Sequence, residues 1–163
     1  MTGTSSTPAV TAEYTITYVF DAPRELVFTA WTDPGHFTHW FGPRAYTTPV
    51  SKISMDLRPG GTWRAVVVAD DGAEQLLDGV YRKVEAPERL VFTTGDPGNT
   101  HGDLASVVTV TFTGLDDLGG KTEMVFHQAG YNTGEAHAAA SRAGWLEFFD
   151  RLAEHLAGHA PRG

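Results

Sequence analysis

The sequence predicts an α+β domain in which a curved antiparallel sheet of about six to seven strands wraps around one long C-terminal helix, with two short helices after the first strand. Three observations predict it. The run from Asn132 to His159 carries an apolar stripe at helical spacing. Between Tyr14 and Gln128 the chain reads as β-rich segments separated by turn residues, with no alternation of strand and helix that would make a parallel sheet. The two early segments that open on Asp-Ala-Pro and Asp-Pro are too short to cover that sheet, so the last helix must.

Each element has its own warrant. From Glu13 to Asp21, Tyr14, Ile16, Tyr18 and Phe20 alternate with Thr15, Thr17 and Val19, the period of a half-buried strand. Pro23 suits the first turn of a helix whose buried face is Val27, Ala30 and Trp31. Asp33, as N-cap before Pro34, opens a second helix through Trp40, and Gly42-Pro43 ends it. Thr47 to Leu57, Thr62 to Ala69, Leu76 to Val84, Arg89 to Thr94, Ser106 to Leu115 and Lys121 to Gln128 follow as strand segments. Between them, Arg58-Pro59-Gly60-Gly61 and Asp70-Asp71-Gly72 are tight turns. In the last helix Asn132 and Glu135 form a capping-box-like start, and Ala138, Ser141, Trp145, Phe148, Phe149, Leu152 and Leu156 make the stripe. Gly158 and Pro161 stop it. The expected organisation is a disordered tail over residues 1–12, one domain over 13–159, and a short tail over 160–163.

Composition narrows the function. Lys and Arg total 12 against 20 Asp and Glu, a formal charge of −8, which argues against nucleic-acid binding and against an anionic membrane surface. The chain has no cysteine, which removes disulfides, thiolate catalysis and cysteine-containing zinc sites and fits a reducing compartment. The first residues lack the basic and apolar regions of a signal peptide, and no apolar run approaches the ~18 residues of a membrane span. The expectation is a cytoplasmic protein with no membrane insertion and no cofactor.

A family resemblance enters on the ordered motifs. "FDAPRELVFTAWTDPGHFTHWFGP", "DLRPGGTWR", "DGVYRKVEAPERLVFTT", "VVTVTF", "HQAGY" and "GWLEFFDRLAEHL" follow one another along the chain. In this order they resemble the bacterial family similar to the C-terminal domain of the heat-shock-protein-90 ATPase activator, within the START-like (SRPBCC) superfamily. The resemblance runs from about Tyr14 to Leu156. It implies a helix-grip fold with a cavity between sheet and C-terminal helix, in which relatives bind lipids, sterols, polyketides or plant hormones and some act as aromatase/cyclases. The chain looks like only the second half of the co-chaperone that gives the family its name, so the activator function does not follow. Many relatives carry a His where this chain has Gln128, with His127 beside it. Gln128 exchanges hydrogen bonds but does not shuttle protons near neutral pH.

The candidate ligand-binding residues are Trp31, Trp40, Trp63, Phe92, Phe112, Phe126, Gln128, Ser141, Trp145 and Phe149. Apolar walls with a few polar fixtures describe a ligand site, and the bland alternative is a packed core. Four Trp favour half-exposed walls, because a buried indole N–H wants a partner. His36 and His39 stand three apart, with no third ligand in view to complete a metal site, and His155 and His159 suit a helix C-terminus without further purpose. Asp78 shares its parity with Leu76 and Val80 and reads as an outward, solvated carboxylate. No nucleophile elbow, P-loop or dinucleotide fingerprint is present. The expected function is binding of a hydrophobic small molecule in an internal cavity. A cyclase-, aromatase- or hydrolase-like enzyme using the same cavity is the first alternative. The second is a co-chaperone-like interaction module or homodimer, with Trp40 and Phe41 as exposed aromatics.

Overall fold

In the computed structural model, residues 12–42, 45–94, 106–115, 120–130 and 135–157 are described, with side chains at all of these except 12, 130 and 135–141. Strand β1 (Ala12–Phe20) leads into helices α1 (Arg24–Thr32) and α2 (Pro34–Phe37). Strands β2 (Tyr46–Thr47) and β3 (Ser54–Met55) flank a 3-10 turn at Val50–Lys52. Then come β4 (Thr62–Ala69), β5 (Glu74–Glu85), β6 (Arg89–Thr94), β7 (Ser106–Leu115), β8 (Lys121–Gly130) and the long helix α3 (Glu135–Ala157). All neighbouring strands pair antiparallel in the order β1-β8-β7-β6-β5-β4-β2, with β3 also on β4. This is the helix-grip arrangement.

Side-chain alternation puts one apolar face of that sheet toward the helices. The register sets Tyr14 opposite Gln128, Gln128 opposite Val108, Val108 opposite Phe92, and Phe92 opposite Tyr81, one continuous row across five strands. Ile16, Phe126, Val110 and Leu90 form the next row. A register shift between Tyr81 and Lys83 keeps β5 in step with β6 on both sides of the irregularity. Trp145, Phe149, Leu152 and Leu156 of α3 close over these rows and are buried, as is the α1 face of Val27, Phe28, Ala30 and Trp31.

Three expectations change. The second helix ends at Phe37, not Trp40: a single helical turn is continued only by turns, and the Asp33 side chain makes no capping hydrogen bond. The segment Thr47 to Leu57 is no single strand, because Pro49 introduces a 3-10 turn and leaves two-residue strands on either side. Trp40 and Phe41 are not exposed aromatics, being 0% and 1% accessible. The Asn132 cap and the helix stop beyond Ala157 lie outside the described residues.

Candidate functional site

The site expected between sheet and helix exists as a place, but it is nearly full. The pocket there is lined by Trp31, Phe37, Phe41, Met55, Trp63, Tyr81, Leu90, Phe92 and Trp145 and has a volume of about 10 Å³. That is room for about one water, against the several hundred Å³ of a ligand site. Aromatic rings fill the rest. Trp31 is their hub: its ring centroid lies 4.9 Å from that of Trp40, 5.9 Å from Trp145 and 6.0 Å from both Phe92 and Phe149.

Four of the ten candidate residues, Trp31, Trp63, Phe92 and Trp145, line this pocket. Trp40, Phe112, Phe126 and Phe149 are buried in the surrounding core and do not line it. Gln128 is buried on the same sheet face, where it accepts a hydrogen bond from the Tyr14 hydroxyl. The Ser141 side chain lies outside the described residues. Sequence reasoning did not select Phe37, Met55, Tyr81 or Leu90. Strand parity carried the signal for Tyr81 and Leu90, whereas nothing in the spacing places Met55, on a two-residue strand, at a pocket wall.

The four indoles are all buried, at 2, 0, 3 and 7% exposure for Trp31, Trp40, Trp63 and Trp145, which corrects the expectation of half-exposed walls. Two of them satisfy their N–H on nearby backbone. Trp40 Nε1 donates to the Ala30 carbonyl at 2.9 Å, and Trp63 Nε1 to that of Thr93 at 3.0 Å. The second bond depends on Gly79: a Cβ there would stand 1.7 Å from the Thr93 carbonyl oxygen and 2.5 Å from Trp63 Nε1. Trp31 Nε1 has no hydrogen-bond partner, and it shares that condition among the described residues only with Asp78 Oδ1. Asp78 sits opposite Arg64 on the other sheet face, half-buried and away from the pocket. Tyr81 is held above the ordinary phenol range, first by burial and then by the Asp56 carboxylate, so its hydroxyl stays protonated.

A second grouping, polar and near the surface, lies where α2 meets the end of α3. His36 Nδ1 and His155 Nε2 are 2.9 Å apart, and the His39 ring stacks on His155 at 4.9 Å with 16° between planes. Sequence reading left His36 and His39 without a third partner and His155 as a dipole complement; the fold brings all three together across 119 positions of chain. Arg151 fastens the same corner, donating to the Gly42 carbonyl at 2.7 Å and to that of His39 at 3.2 Å. Among the described residues no group of three or more His, Cys, Asp or Glu is arranged to hold a metal ion, and no helix is long and apolar enough to cross a membrane.

Comparison with known proteins agrees with this architecture. The AHSA1 protein of Silicibacter pomeroyi superposes with a TM-score of 0.75 at 19% identity, covering 91% of this chain and 99% of that one. The AHSA1-like protein of Aeromonas hydrophila gives 0.74 at 24% identity, with 91% and 94% covered. A protein from Rhodobacter sphaeroides gives 0.74 at 22%, with 96% and 97% covered. At these identities the likeness is one of fold. No curated protein matches the sequence. The profile of the family described as "Activator of Hsp90 ATPase homolog 1-like protein" matches residues 21–157, nearly the whole domain. The chain belongs to that family.

Proposed function

We propose that this protein binds a small, uncharged, apolar molecule between the sheet and α3, with Trp31, Trp63, Phe92 and Trp145 as its walls. The observation that carries the reading is the unpartnered Trp31 indole N–H, buried in a pocket wall where every other lining group is apolar or, like Trp63, already bonded or, like Tyr81, a neutral phenol. A buried donor without a partner costs about 1–3 kcal/mol, which a ligand carbonyl or ether oxygen relieves. Among the described residues no Lys, Arg or His lines the pocket, so a carboxylate or phosphate would enter without compensation from them. The family and its fold support a START-like ligand-binding domain, and a cytoplasmic setting fits the cysteine-free chain.

Because only about 10 Å³ stands open, binding requires that side chains give way. Met55 is the natural one to move: flexible, half-buried, and on a strand that pairs with β4 over two residues. Among the described residues, the pocket lining holds no pair of acid and base groups that would favour the enzyme alternative. The interaction-module alternative loses the exposed aromatics it rested on, for Trp40 and Phe41 are core.

The test is native mass spectrometry of the purified protein, followed by titration with a neutral tricyclic ketone, its parent hydrocarbon and its carboxylate. Expected is binding of the ketone ahead of the hydrocarbon and of both ahead of the carboxylate. Trp31→Phe should weaken the ketone alone, by about tenfold for one lost hydrogen bond. Absence of binding by all three probes, or binding unaltered by Trp145→Ala, defeats the reading.

A further inference from the structure

We propose that His36 and His155 form a proton-operated latch that holds α2 against the end of α3 and keeps the pocket closed near neutral pH. It takes its purpose from the ligand-pocket reading above, as regulation of that site.

The geometry is that of a shared proton. The facing nitrogens are 2.9 Å apart while the ring centroids are 5.1 Å apart, so the nitrogens lie almost on the line between the rings. That head-on approach suits an N–H···N bond; two ligands of one metal would turn toward a common third point instead. The bond needs one donor and one acceptor. Two neutral imidazoles supply them, with the N–H of one ring meeting the lone pair of the other. A first added proton leaves this pattern intact, since one ring keeps its lone pair. A second proton puts N–H groups on both facing atoms and like charges on both rings, and attraction becomes repulsion.

The charged and titratable surroundings are specific. On the α2 side, Asp33 Oδ2 lies 3.9 Å from His36 Nε2. His39 stacks on His155 and adds charge of the same sign when it is protonated. On α3, Arg151 is a fixed cation and Glu154 an anion beside His155 at the same surface groove. The 3-10 turn packed on α2 carries Lys52, paired with Glu74 at 2.6 Å, and α1 carries Arg24 and Glu25, 3.9 Å from each other. The separated state therefore takes up two protons where the latched state takes up one, so acid favours separation.

What the latch holds is a wall of the pocket. Helix α2 is four residues long, has no side-chain cap, and carries Phe37; Phe41 follows it, and both line the pocket. The chain that follows it is tied down by the Arg151 bonds to the His39 and Gly42 carbonyls and by Thr38 Oγ1 to the Thr48 carbonyl at 2.5 Å. Release of the imidazole bond loosens a single turn of helix, the smallest unit whose displacement uncovers the aromatic centre.

Acrylamide quenching of tryptophan fluorescence reads this directly, because all four indoles are buried in and around the pocket. Wild-type protein should become about twofold more quenchable between about pH 7.5 and about pH 5, the range in which imidazoles ordinarily titrate, with far-UV circular dichroism unchanged. His155→Gln and, separately, His36→Gln keep a hydrogen-bonding side chain that does not titrate, and each should flatten the response. An equal rise in wild type and both variants, no rise in wild type, or a rise accompanied by loss of the dichroism overturns the latch. If one variant does not fold, the other decides. No ligand enters the experiment, so failure of the latch leaves the ligand reading standing, and failure of ligand binding leaves these results standing.

Discussion

The aromatic centre and the imidazole corner are both built where helices meet, yet they are held by opposite means. Around Trp31 the chain excludes water and relies on ring against ring, with the indole hydrogen bonds of Trp40 and Trp63 made inward to backbone. At His36, His39, His155 and Arg151 it relies on bonds between polar groups that solvent reaches. Shape-based contacts respond to changes in volume and scarcely to pH. Hydrogen bonds between titratable groups do the reverse. The contrast locates the pocket's rigidity in the long strands of its sheet wall and its capacity to yield in α2 and in Met55 on the two-residue strand β3.

Substitutions that attack the centre test this contrast first, and with the largest effects. Gly79→Ala should destabilise the fold by more than about 4 kcal/mol, since its Cβ meets the Thr93 carbonyl oxygen and the Trp63 indole with no flexible partner to move. Failure to recover folded protein, or a collapse of the urea midpoint, is the expected result; near-wild-type stability would mean that the sheet wall is softer than described. Trp145→Ala should cost about 3–5 kcal/mol in the same denaturation, as for other large-to-small changes in a core.

The indoles sharpen the comparison from within. Trp40→Phe leaves the Ala30 carbonyl without its donor and should cost about 1–3 kcal/mol. Trp31→Phe removes a donor that bonds to nothing, so its cost should be smaller than that of Trp40→Phe by about 1 kcal/mol in chemical denaturation. Equal costs would place a hydrogen-bond partner on Trp31.

The smallest effect lies outside both regions, on the tie between β1 and α3. Tyr18 donates to Asp150 Oδ1 at 2.8 Å, and its hydroxyl is pushed from 10.0 up to about 12 by burial first, then by the Asp150 hydrogen bond and charge, then by Glu154. The raised value means that the unfolded chain loses this proton first. The contribution is therefore fully present below pH 10.0 and disappears as pH climbs through about 12. Denaturation midpoints taken across that alkaline range should fall more steeply in wild type than in Tyr18→Phe, by a modest margin because the Tyr18–Asp150 hydrogen bond lies at the surface.

Much of the fold could be read from local chemistry. The strands Thr62–Ala69, Arg89–Thr94 and Ser106–Leu115 have the bounds that their flanking turns imply. The α3 stripe reads correctly at Trp145, Phe149, Leu152 and Leu156, because helical period alone decides which residues face the sheet. The state of the pocket could not be read that way. Periodicity says which side chains point inward and nothing of how far they reach, so a lined cavity and a filled one share a pattern. A buried indole N–H does want a partner, but for Trp40 and Trp63 that partner is the Ala30 or Thr93 carbonyl and not solvent, and no local spacing places either carbonyl there. The imidazole corner was illegible for a different reason: His36 and His155 meet only because α2 and α3 do, and no local spacing reports that.

Sheet order adds a temporal consequence. The first strand pairs along its length with the last, and Tyr18 on that first strand bonds to Asp150 within the final helix. During synthesis β1 leaves the ribosome long before β8 and α3 exist, and until they follow, Ile16 and Phe20 lack the strand that pairs with theirs and the helix that covers it. The domain therefore becomes resistant to proteases late and in one step, when the segment bearing Trp145 to Leu156 arrives. A nascent chain halted before that segment would present the whole aromatic centre to the cell's quality-control machinery.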